Sequence, residues 1–409
     1  MTEEARVVPV ADCDNANSST ESQQTPVHLS YFLHPNASSP SWVIERTKQY
    51  TDDPVGYLKQ TLGEGKFTER QSLLHIPEEI DKDHYGGGKH KQAFEEHIAK
   101  LLGKKHGLFF ITGVQAQLIA LKIHAENSRN NRVAWHLTSH LEDAEEVLLE
   151  LPNRSLGCTT YTFSDLQEIS QACRAANVKL HLDGARLWEG EPYYRETFDK
   201  TFSDIGALFD SVYKGLQGIG GAMLVCDSAE MISRAKKWQR RSGGNCFTLM
   251  YQFIDDERGF NENIVAFAGR RRKMIEVVEG IKEATKGFMT EDGRSFVRFV
   301  PEEAICCQTH AFFQGFTSEQ LTRARDSVQE KKNVRVFERL REMISFDEKM
   351  RLEREAGVED GTVEEAANAA GARDDTTHFI EWSITNETEK VDTKVFVDAC
   401  DSLQGAGEQ

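Results

Sequence analysis

Between residues 91 and 226 the chain alternates helix-periodic stretches with short apolar runs, and this alternation constrains the fold more than any other feature. Gln92–Leu102 repeats its apolar residues at helical spacing, Gly107–Ile111 is a short apolar run, and Ala116–Glu126 is helical again. Asp165–Asn177 reads as a further helix with Ser164 as its N-cap, while Val178–Asp183 and Gly221–Cys226 read as buried strands. Helices interleaved with buried strands imply an α/β domain on a mostly parallel sheet. Beyond about residue 262 the texture changes. Charged helices are expected at Ile264–Lys286 and about Val334–Glu355, with strands at Phe296–Val300 and Phe379–Ile384.

The expected organisation is a polar tail over 1–26, a major α/β domain over 27–261 and a smaller α+β domain over 262–409. Residues 27–80 mix short apolar patches with Pro and Gly and show no regular period. Residues 356–376 are rich in Gly, Ala and acids and read as an exposed loop.

Composition narrows the function classes. The 409 residues carry 66 acidic and 49 basic side chains, a net charge of −17 that disfavours nucleic acid and anionic membrane as partners. No apolar run approaches the ~20 residues that span a bilayer. The Met1-Thr2-Glu3-Glu4 start lacks a secretory pattern, so a cytoplasmic protein is expected. The eight cysteines are scattered with no CxxC spacing, which points to reduced thiols and to no metal site.

The chemistry concentrates in residues 180–224. Leu180-His181-Leu182-Asp183-Gly184-Ala185-Arg186 is an apolar strand that ends in an acid, a glycine and a basic residue. Ligands of open α/β sheets bind at the carboxyl ends of strands. Downstream, Lys214 closes a second strand and leads into the glycine-rich Gly215–Gly221. An amine and a strand-end carboxylate are the pair that pyridoxal-5′-phosphate (PLP) chemistry requires. The amine joins the cofactor covalently, and the carboxylate keeps its pyridine nitrogen protonated.

The stretch HLDGARLWEG…PYY…IGALFDSVYKGLQGIGGAML resembles the threonine aldolase/β-eliminating lyase family of fold-type I PLP enzymes, over about residues 84–260. The resemblance implies a three-layer α/β fold and PLP as cofactor. It implies Lys214 as the catalytic, cofactor-bearing lysine and Asp183 as the ring-nitrogen partner. Arg186 would contact cofactor and substrate carboxylate, and His140 would stack on the ring and assist deprotonation of the substrate hydroxyl, with His136 a nearby competitor. The strand–turn–helix at Thr112-Gly113-Val114 would cradle the phosphate through backbone N–H groups at a helix N-terminus. Tyr85 echoes a family Tyr-Gly loop beside the substrate.

Two segments are shorter than the family pattern. Glu145-Glu146 runs almost directly into Val147–Pro152, and the resemblance implies that about four residues are lost between the Asp210–Tyr213 motif and Lys214. An even loss preserves the side-chain face but draws Lys214 back by roughly 13 Å at ~3.3 Å per residue. The second carboxylate-binding arginine that relatives carry has no matching motif here, with Arg298 and Arg373 the nearest choices. The implied function is aldol cleavage of a β-hydroxy-α-amino acid, giving glycine and an aldehyde. Racemisation or β-elimination by the same cofactor, and a non-catalytic relative of the fold, are the alternatives. The resemblance also implies a homodimer or homotetramer.

Overall fold

The computed structural model describes residues 27–28, 40–128, 134–135, 147–290, 293–342 and 378–407. The expected tail, the loop at 356–376, Arg373, His136 and His140 lie outside the described residues. Six strands form the central sheet, in the spatial order His106–Phe110, Ala222–Cys226, Ser211–Gly215, Leu180–Asp183, Val147–Glu150 and Ala134–Trp135. Ala222–Cys226 runs antiparallel to both its neighbours, and the remaining pairings are parallel. This is the mostly parallel, helix-covered sheet that the sequence implies. Ala222–Cys226 and Leu180–Asp183 are buried throughout their length, because helices cover both faces.

Strand alternation sorts the side chains between those faces. Leu180, Leu182, Val212, Met223 and Val225 join the core beneath helices Lys89–Leu101, Leu187–Phe198 and Met250–Ile264. Leu108, Phe110, Leu224 and Cys226 face helices Gly113–Ser128 and Ala229–Arg241. His181 and Ser211 share this second face, where both His181 Nδ1 and His124 Nε2 bond the Ser211 hydroxyl at 2.7 and 2.8 Å.

Farther along the chain a four-stranded antiparallel sheet has the order Arg341–Glu342, His378–Ser383, Gln308–Phe313, Val297–Val300. Helices Phe267–Thr285, Ser318–Lys332 and Thr393–Gly407 pack on one another beside it, and their apolar side chains join the same continuous core.

Two local expectations are corrected, and one stretch left open by the sequence is now defined. The helix expected from Val334 does not form in its described part. Asn333 takes a left-handed conformation, φ 54°, and ends the helix Ser318–Lys332. Val334–Arg335 then pairs with Val27–His28, and Arg341–Glu342 pairs with His378–Phe379. The buried Val334 and Val336 alternate as a strand does, a period too short to outweigh the surrounding charge pattern. The helix expected from Asp165 begins two residues earlier, at Phe163, and its cap is Thr162 rather than Ser164. Thr162 Oγ1 accepts from Asp165 N, and the Asp165 carboxylate accepts from Thr162 N. Residues 40–69, where no regular pattern was evident, form helices Pro40–Asp52, Pro54–Leu62 and Glu64–Glu69, two of them opening on proline.

Candidate active site

Asp183 is the last residue of its strand and is 2% exposed. Its side chain turns toward helix Gly113–Ser128, where Oδ2 accepts from Gln117 Nε2 at 3.0 Å and Oδ1 accepts from Ala185 N at 3.0 Å. The parallel register sets Glu150 beside Asp183 on one side and Tyr213 on the other. Burial, reinforced by the Asp183 charge, pushes the Glu150 carboxyl up to about 7. Arg186 is buried next to this acid pair. Its Nε donates to Gln308 Oε1 at 2.9 Å, and its Nη1 lies 3.9 Å from Glu150 Oε1.

The expected phosphate cradle sits on the same face. Thr112 Oγ1 accepts from Gln115 N at 3.2 Å and so caps the helix that opens at Gly113. Gly113 lacks a side chain for a steric reason, since a Cβ there would collide with the Tyr213 ring. Tyr213 therefore reaches from the strand beside Asp183 to the helix N-terminus. Burial, and then the Asp183 charge, raise its phenol above the ordinary value.

Lys214 follows Tyr213 and projects to the opposite face. It is one residue short of the strand end, opposite Met223, and only one residue beyond the level of Asp183. The amine is 0% exposed, donates to the Ala185 carbonyl at 2.6 Å and lies 5.0 Å from the Trp188 ring centre. Burial lowers its pKa to about 8, a shift opposed by the nearby Glu189 carboxylate. The lysine read as closing its strand is thus held inside it, beneath the Asp183-Gly184-Ala185 turn.

Tyr85 is exposed, has φ 53°, and sets its ring edge-on to Phe247. Arg298 stacks over Phe312 at 4.3 Å. The fold brings Asp183, Arg186, Lys214 and Gly113 into one neighbourhood. Four further participants escaped the sequence reading: Glu150, Gln117, Tyr213 and Gln308. Glu150 and Gln117 carried a usable signal, as the end of the adjacent strand and the next inward turn of the helix after Gly113. Gln308 arrives from the second sheet, which local pattern cannot reveal.

The donor chemistry fits PLP. The N-terminus of helix Gly113–Ser128 offers N–H groups for a phosphate, Asp183 is a buried acceptor for a pyridinium proton, and Lys214 is an amine of lowered pKa. In the conformation described, the Tyr213 ring fills the space against Gly113 and the Ala185 carbonyl holds the amine. Both side chains must turn for the cofactor to seat.

Comparison with known proteins agrees with this chemistry. The family model described as "Beta-eliminating lyase" matches residues 75–146 and 130–252. A low specificity L-threonine aldolase of Escherichia coli (strain K12) is 24% identical over 274 residues, covering 57% of this chain and 81% of that protein. An alanine racemase of Cochliobolus carbonum is 23% identical over 228 residues, covering 46% and 54%. Among solved structures, a putative L-allo-threonine aldolase of Listeria monocytogenes superposes with TM-score 0.65 at 26% identity, covering 84% of this chain and 93% of that one.

Proposed function

The chain belongs to the threonine aldolase/β-eliminating lyase family of fold-type I PLP enzymes, and on that premise we propose that it cleaves the Cα–Cβ bond of a β-hydroxy-α-amino acid to give glycine and an aldehyde. The observation that carries this reading is the pair of groups gathered on the backbone of one residue, Ala185. Asp183 Oδ1 accepts from the Ala185 N–H, while Lys214 Nζ donates to the Ala185 carbonyl. An acid and an amine are thereby held on either side of one short turn.

When bound, PLP supplies an electron sink that stabilises negative charge on the substrate's Cα. In this proposal Asp183 holds the pyridinium proton through a carboxylate oxygen, and Gln117 keeps that carboxylate in orientation. With a pKa of about 8, Lys214 is neutral in roughly a tenth of molecules at pH 7, so its lone pair is available without a separate base. The Arg186 fork suits a substrate carboxylate. Glu150, with its carboxyl near 7, can hold or release a proton at neutral pH within this group. His140 is the proposed base for the β-hydroxyl proton, on resemblance. A cytoplasmic homodimer or homotetramer is proposed on the same basis. Among the described residues, no helix is long and apolar enough to cross a membrane.

Racemisation of a small amino acid is the second reading, favoured by the likeness to the Cochliobolus carbonum enzyme. Incubation of the PLP-loaded protein with L-threonine or L-allo-threonine separates the two. Aldehyde release supports aldol cleavage. Loss of optical rotation from a single alanine enantiomer, without aldehyde, favours the racemase. Neither reaction, from protein that binds PLP, supports a non-catalytic relative.

A further inference from the structure

Away from Asp183, a second group of chemistry-bearing side chains converges from three separate segments. His75 lies in a loop, His90 in the first turn of helix Lys89–Leu101, and Glu257 in the middle of helix Met250–Ile264. One ligand-type atom from each lies within 4.8 Å of the other two. His90 Nε2 is 2.8 Å from Glu257 Oε2 and 3.0 Å from Oε1, and His75 Nδ1 is hydrogen-bonded to Oε1. The side chains of His90 and Glu257 are wholly buried, whereas that of His75 keeps 11% of its surface in solvent.

Neighbouring residues hold the Glu257 carboxylate and the His75 backbone in place. The Tyr50 hydroxyl donates to Glu257 Oε2 at 3.0 Å. Asn261 Nδ2 donates to the Tyr50 oxygen at 3.0 Å and to the His75 carbonyl at 2.6 Å, while its Oδ1 accepts from His75 N at 2.9 Å. Such outer contacts are what hold metal-ligating side chains in register.

Charge accounting points the same way. A fully buried carboxylate needs a compensating positive charge. The neighbouring Arg258 is engaged by Asp255 and Glu262, and Lys91 is engaged by Glu95. Within the cluster His75 and His90 are the groups that face the Glu257 carboxylate as sources of that charge, and a cation held among the three supplies it equally. Two imidazole nitrogens and a carboxylate are the donor set of an open zinc site. Ligand bonds of ~2.0–2.1 Å set tetrahedral neighbours roughly 3.3 Å apart, wider than the 2.8 Å from His90 Nε2 to Glu257 Oε2 and than the still shorter His75–Glu257 contact, so the cluster must open to admit an ion. The Glu257 side chain and the loop at His75 can supply that movement.

We propose that His75, His90 and Glu257 bind one divalent ion of the zinc class, with a water as fourth ligand on the His75 side. The ion ties the His75 loop and helix Lys89–Leu101 to helix Met250–Ile264. That helix in turn presses on the glycine-rich turn after Lys214. Asp255 Oδ2 accepts from Ile219 N at 2.9 Å, and a Cβ on Gly218 or Gly221 would collide with Asp256. No local motif announces the site, since its ligands are 15 and 167 residues apart in the chain.

The test uses the full chain stripped with EDTA, dialysed, and titrated with zinc chloride or cobalt chloride. The site predicts one retained zinc per chain, a raised thermal midpoint with zinc, and a cobalt spectrum free of thiolate charge-transfer bands. His75→Ala, at the rim of the cluster, should keep its circular dichroism and weaken zinc binding by about tenfold or more. Glu257→Gln should abolish binding, and His75→Ala decides the matter if Glu257→Gln does not fold. Zinc below about a tenth per chain with no midpoint shift, undiminished binding by His75→Ala, or thiolate bands in the cobalt form would each overturn the proposal.

Discussion

Tyr213 and Lys214 are successive residues, so the pleat sends one toward the Gly113 helix and the other beneath the Ala185 turn. Removing the Tyr213 ring should uncover the helix N-terminus. Tyr213→Ala is therefore expected to raise PLP affinity about tenfold or more in a spectroscopic titration. The stability cost is at most ~3–5 kcal/mol, the range for truncating a buried aromatic. Unchanged affinity would show that the ring is no obstruction. Asp183→Asn keeps a side-chain acceptor for Ala185 N but removes the negative charge. It should lower turnover by ~10²-fold or more, the scale for loss of one preorganised electrostatic group; activity within a few-fold of the parent would remove Asp183 from its proposed role. Asp183, Arg186 and Gly113 were legible because each sits at a strand end or helix start marked by glycine. Tyr213 was not, because its place against Gly113 appears only once the neighbouring helix is packed on the strand.

Secondary elements were legible wherever a single period ran unbroken. The helices at Lys89–Leu101 and Gly113–Ser128, and the strands Leu180–Asp183 and Ala222–Cys226, lie within a few residues of their expected positions. Expectation failed where two residues of strand follow a charged helix, as at Val334–Arg335, since pairing partners rather than local pattern decide so short an element. The cap of helix Phe163–Ala175 misled by two residues because Thr162 and Ser164 both qualify chemically. Only Thr162 has the reciprocal partner Asp165. Thr162→Ala should thus cost about 1 kcal/mol in denaturant unfolding, and Ser164→Ala well under half of that. The reverse order would reassign the cap.

Across the whole molecule, three histidines, His124 and His181 buried and His97 half-buried, shape the response to acid. Burial lowers His97 and His124 to about 4 and His181 to about 3, against an ordinary value of 6.5. Between those values the unfolded chain binds protons that the folded chain refuses, so stability falls as pH drops from about 6.5 toward 4. Glu150, raised to about 7, works in the opposite sense between 4.5 and 7, as do Glu191 and Asp256, which burial also raises. Burial lowers His310 as a fourth histidine acting with the other three. The thermal midpoint should therefore decrease from pH 7 to pH 5, and a flat or rising profile would contradict this balance. Burial of this kind lay beyond sequence reading, because a histidine in an apolar run shows neither its depth nor its partner.

The account turns on whether Lys214, sealed beneath the Ala185 carbonyl, is the residue that holds the cofactor. Borohydride reduction of the PLP-loaded full chain, followed by peptide mass analysis, addresses this directly. The predicted result is a single pyridoxyl adduct on Lys214, absent from Lys214→Ala. An unlabelled chain, or an adduct on another lysine that persists in Lys214→Ala, would contradict it.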